Sequence, residues 1–168
     1  MKPARDAMGA WHGRFLLALA ALAFFFVPVF VARAAENARV AYWERFGFAP
    51  EQAREWWSHG FSSRPEAILW RSLGFGPESA AGWRSMEFIA QDAKEWTDAG
   101  FGVQTAAEWS RYAFDQAAAA AWRDARFSVG EAVAWRKRAF SPAEAVKWRE
   151  AGRSPLEAAE RRTAGGRP

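Results

Sequence analysis

Nine tryptophans recur along this chain at an almost constant spacing. Each follows the previous one by 13 residues, except that Trp70 follows Trp56 by 14. A fixed spacing of this kind indicates internal repeats, in which one short unit is copied and each copy packs on its neighbours. The nine residues are Trp43, Trp56, Trp70, Trp83, Trp96, Trp109, Trp122, Trp135 and Trp148.

The residues before each Trp predict the start of a helix. The third residue before the Trp is Ala in eight of the nine copies, and this spacing places both side chains on one helix face. The seventh residue before the Trp is usually small or capping, and Pro often follows it at what would be the first helical position. In three places this capping residue is a Ser that is followed three residues later by a Glu, which is the capping-box pattern. The pairs are Ser128 with Glu131, Ser141 with Glu144 and Ser154 with Glu157.

The residues after each Trp predict the end of the same helix. The fourth residue is Gly in five copies and the fifth is Phe in eight of nine, as in helices that end in a left-handed residue closed by a hydrophobic contact. One repeat is therefore a helix of roughly nine or ten residues and a turn of three or four. So short a helix is marginal alone, so we expect the nine Trp to form the core through Trp–Trp and Trp–Phe contacts between repeats.

The pattern predicts an all-α, solenoid-like array of nine short helices over residues 35–162, with a degenerate C-terminal cap and a disordered tail at 163–168. In the cap, Arg161 takes the place of the next Trp. The extra residue between Trp56 and Trp70 falls in the turn Phe61–Pro65, where an array accepts an insertion without shifting its core.

Four copies lack the Gly, and this leaves an alternative. They carry Glu87, Ala113, Arg126 and Ala139 at that position, so residues 104–126, which contain no Gly or Pro, could form one long helix. However, 13 residues at about 100° each would turn Trp109 and Trp122 roughly 140° apart, and both could not face one core. We therefore predict a break near Phe114, with Asp115 as the cap of the next helix.

The amino terminus predicts export. Basic residues precede an uncharged apolar run over residues 15–31, and Ala32 and Ala34 then provide the small residues that a signal peptidase recognises. We interpret residues 1–34 as a signal peptide cleaved after Ala34, and the alternative is a membrane anchor formed by residues 15–31. Both place the repeats outside the cytoplasm, in the periplasm or secreted. The leader and the Ala/Arg-rich composition suggest a bacterial source.

Two places are candidate partner contacts. Trp57 is turned about 100° away from the Trp stripe and should be partly exposed. Residues 123–168 carry 11 basic and 6 acidic side chains, whereas residues 35–122 carry 8 and 12. A basic stretch can attract an acidic partner or anionic lipid, so Arg136, Lys137 and Arg138 are candidates, although the same residues also suit a solvated helix face.

The residue inventory argues against catalysis. The chain has no Cys, and His59 is the only His after the leader, at a helix end where other copies carry Leu73, Met86 or Ala99. Glu55, Glu95 and Glu108 each precede a Trp and are expected to form a solvent-facing row rather than a converging pair. No phosphate loop, metal-ligand set or nucleophile motif is present. We predict no catalytic residues, no cofactor and no metal.

These observations predict a non-enzymatic binding or scaffolding module whose partner is another envelope protein. An alternative is that exposed aromatic side chains hold cell-wall glycan or lipid, since Trp faces can stack on such ligands. A nucleic-acid partner is not expected, because after residue 34 the chain carries 19 basic and 18 acidic side chains.

Overall fold

The computed structural model describes residues 30–168, and all regular secondary structure in that range is helical. Helix α1 covers residues 30–44. The following helices are α2 (Pro50–Ser58), α3 (Arg64–Ser72), α4 (Pro77–Ser85), α5 (Ala90–Asp98), α6 (Val103–Arg111), α7 (Gln116–Asp124), α8 (Val129–Arg136), α9 (Pro142–Glu150) and α10 (Pro155–Thr163). Each of α1 to α9 carries one repeat Trp, so the predicted all-α, solenoid-like array of short helices is confirmed.

The chain forms two compact units. The first unit runs to Arg64 and the second is Pro65–Pro168. The division falls between the first two residues of α3, close to the extra residue between Trp56 and Trp70. Within the second unit, successive helices such as α4 and α5, or α8 and α9, pack against one another.

The helices begin as their capping residues predict. Ser128, Ser141 and Ser154 each accept a hydrogen bond from the backbone N–H three residues on, and each forms a complete capping box with the Glu at that position. Asp115 Oδ1 accepts from the Ala118 N–H at 2.7 Å, so a new helix starts there. The alternative of one long helix over residues 104–126 is therefore wrong.

The helices end in a repeated hydrogen-bond pattern. In the eight repeats from Trp56 to Trp148, the residue five after the Trp donates its N–H to the Trp carbonyl at 2.9–3.3 Å, as Phe61 does to Trp56. The residue four after the Trp donates to the carbonyl one after it, as Gly60 does to Trp57 at 2.9 Å. These two bonds define the Schellman motif, which satisfies carbonyls that the end of a helix leaves without partners.

The residue at the turn has the same left-handed conformation whether or not it is Gly. The φ angles of Gly47, Gly60, Gly74, Gly100 and Gly152 lie between 71° and 89°. Glu87, Ala113, Arg126 and Ala139 occupy the equivalent positions with φ between 55° and 65°. Every repeat thus keeps a separate helix.

The core is a chain of Trp and Phe rings. All nine repeat Trp are 2–5% exposed, and the Ala three residues before each of the last eight is fully buried. In the second unit, Trp83 meets Phe88 of its own repeat with ring centroids 5.1 Å apart, and Phe88 meets Trp96 of the next at 6.4 Å, both edge to face. Phe rings therefore bridge successive Trp in contacts of the predicted Trp–Phe kind, and the predicted core residues are confirmed.

The carboxyl end keeps the repeat pattern beyond the last Trp. At the carboxyl end α10 extends to Thr163, and the Gly166 N–H donates to the Arg161 carbonyl at 2.8 Å in the same pattern as the other repeats. The apolar run over residues 15–31 lies almost wholly outside the described residues, and the predicted cleavage point after Ala34 falls within α1. None of the helices in residues 30–168 has the length and apolarity needed to cross a membrane.

Candidate functional site

Trp57 lies on the surface of the first unit but is not fully exposed. It follows the core residue Trp56 in α2, and the helix turn places it at the edge of the core, where it is half-buried. Its ring meets Trp43 edge to face at 5.4 Å between centroids, and the Arg39 guanidinium carbon lies 5.2 Å from its ring centre. The predicted partial exposure of Trp57 is confirmed.

A cleft of about 440 Å³ opens beside Trp57. Its walls include Arg39 and Tyr42 from α1 and Trp57 from α2, with Gly60 and Ser62 from the turn after α2. Tyr42 is 50% exposed. The cleft therefore presents two aromatic rings and one guanidinium to a ligand.

The indole N–H of Trp57 has no acceptor within residues 30–168. The nitrogen is buried and makes no hydrogen bond there. A buried donor without an acceptor costs free energy.

Arg136 is held by the array itself. Its guanidinium donates to the Ala113 carbonyl at 2.9 Å and to the Tyr112 carbonyl, and its central carbon lies 3.6 Å from the centre of the Phe114 ring. Tyr112 caps the end of α6 and Ala113 follows it, two repeats before Arg136. The side chain of Arg136, although exposed, is therefore tied to the array by these contacts.

The same contact recurs in the second unit, and we call it the arginine clamp. It is formed by an Arg one residue after the Trp position, which donates to carbonyls at the end of the helix two repeats earlier and covers the Phe that follows. Arg149 donates to the carbonyls of Arg126 and Ala125 at 2.9 and 2.8 Å and lies 3.9 Å from the Phe127 ring centre. The other two clamps are Arg123 on Ala99 and Phe101, and Arg162 on Arg138, Ala139 and Phe140.

The arginine clamp has a clear physical basis. The last carbonyls of a helix lack intrahelical partners and carry partial negative charge. A planar guanidinium can donate two N–H groups to adjacent carbonyls while its face covers an aromatic ring. The clamp thus joins alternate repeats, which nearest-neighbour packing alone does not do.

Lys137 and Arg138 lie differently from Arg136. Lys137 is exposed at the end of α8. Arg138 is half-buried and donates to the Ala134 carbonyl of its own repeat at 3.2 Å. A role for Arg136, Lys137 and Arg138 in partner binding stays a prediction.

Within residues 30–168 no cluster of three or more His, Asp or Glu side chains could hold a metal ion. His59 ends α2, with its Nδ1 2.9 Å from the Glu55 carbonyl oxygen, so it occupies a helix end as predicted. Glu55, Glu95 and Glu108 are all exposed, as predicted.

The sequence contains a recurring Arg that indicates the arginine clamp, although the 13-residue spacing of the Trp does not by itself assign it a role. Arg follows the repeat Trp in five of the nine copies, and Arg162 follows Arg161 in the same register. Such a recurrence could have been recognised as a structural position rather than as part of a basic surface.

Comparison with protein-family models, with curated proteins and with solved structures gives no match for this chain.

Proposed function

We propose that this protein is exported and acts as a non-enzymatic module that binds or scaffolds a protein partner in the cell envelope. The observation that carries the proposal is the cleft where Arg39, Tyr42 and Trp57 meet. Arg, Tyr and Trp are the residue types that contribute most to binding at protein interfaces, because each offers a large rigid surface together with a polar group.

The burial of the other Trp supports this choice of site. Of the Trp in residues 30–168, the nine repeat residues are buried and Trp57 alone is half-buried. A core role accounts for the nine, because each packs on Phe and Ala of the array. Trp57 is outside that periodic stripe, and its free face is available to a ligand.

The proposal is tested by capture of a partner with matched variants. Full-length protein is crosslinked in envelope extract of the source organism, the captured protein is identified and purified, and its affinity is measured by calorimetry. Trp57→Ala and Arg39→Ala should each weaken binding by about tenfold or more, as interface hot-spot truncations do. Leu69→Ala is the control, since Leu69 is 50% exposed but lies in the second unit. Equal affinity of all variants and the native protein would count against the cleft.

A glycan or lipid ligand is the second candidate, and the same cleft favours it. The faces of Tyr42 and Trp57 could stack on a sugar ring, and Arg39 could meet an anionic group. Sedimentation with purified peptidoglycan, and flotation with anionic vesicles, separate this candidate from a protein partner. Sedimentation that Trp57→Ala abolishes, with no captured protein, would replace the protein partner by glycan.

Export has its own test. When the full chain is expressed in a bacterial host, intact-mass analysis of the periplasmic fraction should find a protein that begins at Ala35. A protein that retains Met1 in the membrane fraction would establish the anchor instead. Retention of the full chain in the cytoplasm would contradict export altogether.

A further inference from the structure

Two repeats in the second unit lack the arginine clamp. The residue after Trp96 is Thr97 and the residue after Trp109 is Ser110, where Arg stands in the later repeats. The helix ends two repeats earlier are those of α3 and α4. Thr97 Oγ1 donates to the Ala93 carbonyl at 2.7 Å within its own helix.

The exposed fractions of the Phe side chains differ between repeats with and without the clamp. The four rings under an arginine clamp, Phe101, Phe114, Phe127 and Phe140, are 3–4% exposed. Phe75 and Phe88, whose repeats two further on carry Thr97 and Ser110, are 8% and 9% exposed. The missing guanidinium therefore leaves part of each ring uncovered.

At Ser110 the structure forms a cleft of about 540 Å³. Its walls include Met86, Glu87 and Phe88 as well as Ser110. Met86, Glu87 and Phe88 are three, four and five residues after Trp83, so they correspond one for one to the residues that hold the guanidinium of Arg136. The cleft thus lies where an arginine clamp would lie, and the short Ser110 side chain does not fill it.

The walls of this cleft also carry a concentration of negative charge. Glu87, Asp92, Glu95 and Asp115 contribute to its walls, and its lining includes no Lys or Arg. At the four arginine clamps the cation comes from the chain itself. Here carboxylates surround the position, so a cation from outside would be attracted to it.

We propose that the Ser110 cleft is a guanidinium-binding site, and that the arginine side chain of a protein partner fills it as Arg136 fills the equivalent place two repeats later. The guanidinium would donate to the Met86 and Glu87 carbonyls and cover the Phe88 ring. Arginine fits better than lysine, because only a planar fork can donate to two adjacent carbonyls while its face lies on an aromatic ring. The inference rests on the proposed function only in taking the ligand to be a protein side chain.

The test is a titration of the full-length protein with the peptide acetyl-Gly-Arg-Gly-amide, followed through backbone amide NMR shifts and compared with the matched Lys peptide. We expect shifts at Phe88 and Ser110, and affinity for the Lys peptide lower by about tenfold, or about 1.4 kcal/mol. Free arginine, tested alongside, should bind with an affinity close to that of the Arg peptide if the site recognises the side chain alone. Equal binding of the Arg and Lys peptides would mean that the carboxylates attract either cation alike, and it would overturn the proposal.

Three variants make the test specific. Ser110→Arg supplies the guanidinium from within, so it should weaken peptide binding at least tenfold while the melting temperature stays equal or rises. Ser110→Ala leaves the cleft open and should bind as the native protein does. Glu95→Gln removes one carboxylate and should weaken binding several-fold. Undiminished binding by Ser110→Arg would overturn the proposal.

The result is separable from the outcome for the Trp57 cleft. Trp57→Ala should leave peptide binding at Ser110 unchanged, because the two clefts are formed by different units. Peptide binding without any captured envelope partner would contradict the proposed function and leave the guanidinium site established. Partner capture without peptide binding would support the proposed function and overturn the guanidinium site.

Discussion

Four residues in the described range 30–168 have a backbone conformation that their side chains disfavour. Glu87, Ala113, Arg126 and Ala139 have positive φ at the turn where other repeats have Gly. For residues with a Cβ, this region costs about 1–2 kcal/mol each. The cost is tolerated because the next residue, Phe, is buried in the core and fixes the turn. The position therefore requires a conformation rather than a particular residue.

The two neighbours Trp56 and Trp57 show how one helical step changes the contribution of a Trp to stability. Trp96, in the second unit, is a buried repeat residue like Trp56, and its replacement by Ala should cost about 3–5 kcal/mol. Trp57→Ala should cost about 1–2 kcal/mol, because the ring loses its contacts to Trp43 and Arg39 but little buried area. Denaturant unfolding of the two variants measures both values.

Replacement of a largely exposed side chain would cost under about 1 kcal/mol. The edge-to-face contact with Trp43 raises that figure. Equal losses for Trp96→Ala and Trp57→Ala would contradict the assignment of the core stripe.

At the scale of the helix, the three capping boxes make the array sensitive to acid. The pKa of Glu131 is lowered from 4.5, first by the hydrogen bond from the Ser128 side chain and then by that from its backbone. The pKa of Glu144 and of Glu157 is lowered in the same way, with the backbone N–H of Ser141 and Ser154 as the first cause. Each ionised carboxylate thus stabilises the start of its helix.

The direction of the pH effect follows from the lowered pKa values. A carboxyl group with a lower pKa in the folded state adds stability above its unfolded pKa and loses it as the pH falls through the folded pKa. We expect the triple variant Glu131→Gln, Glu144→Gln, Glu157→Gln to lose less stability than the native protein as the pH falls from about 5 to about 3. Chemical denaturation at each pH measures this.

The matched control for the pH experiment is Glu150→Gln. Glu150 ends α9, is exposed, and takes no part in a capping box. Its replacement should leave the acid response of the native protein unchanged. Parallel pH curves for the triple variant and the native protein would contradict the assigned role of the boxes.

The helices could be predicted from the sequence because their determinants are local. Asp115, the Ser–Glu pairs and the 13-residue spacing all act within one repeat, and the core Trp follow from the same register. The arginine clamp could not be predicted from these, since it joins residues 23 or 24 apart and depends on how three helices pack. The cleft beside Trp57 was missed for the same reason, although the partial exposure of Trp57 follows from one helical step.

At the scale of the molecule, the clamp links repeats that are not adjacent. Helical arrays are usually described by the stability of each repeat and its contact with the next one. In the second unit Arg123, Arg136, Arg149 and Arg162 add a contact to the repeat two before. Unfolding should therefore be more cooperative where these four residues act.

A double-mutant cycle tests this coupling. Arg136→Ala and Phe114→Leu should each destabilise the protein, by about 1–2 kcal/mol for the lost hydrogen bonds and packing. Together they should cost less than the sum, with a coupling of about 0.5–1 kcal/mol, since each removes one side of the same contact. Lys137→Ala, next to Arg136 but exposed, is the control and should change stability by less than about 0.5 kcal/mol. Strict additivity would contradict the clamp.

The reach of the clamp also bears on how the chain folds while it is being synthesised. The end of α6 is complete only when Arg136 has left the ribosome, and Arg136 follows Tyr112 by 24 residues. At a translation rate of about 5–20 residues per second, that interval is on the order of 1–5 s. During it, the carbonyls at the end of α6 and the ring of Phe114 are without their guanidinium. The ends of α5, α6, α7 and α8 thus gain their guanidinium contacts only after a residue encoded two repeats downstream has been added.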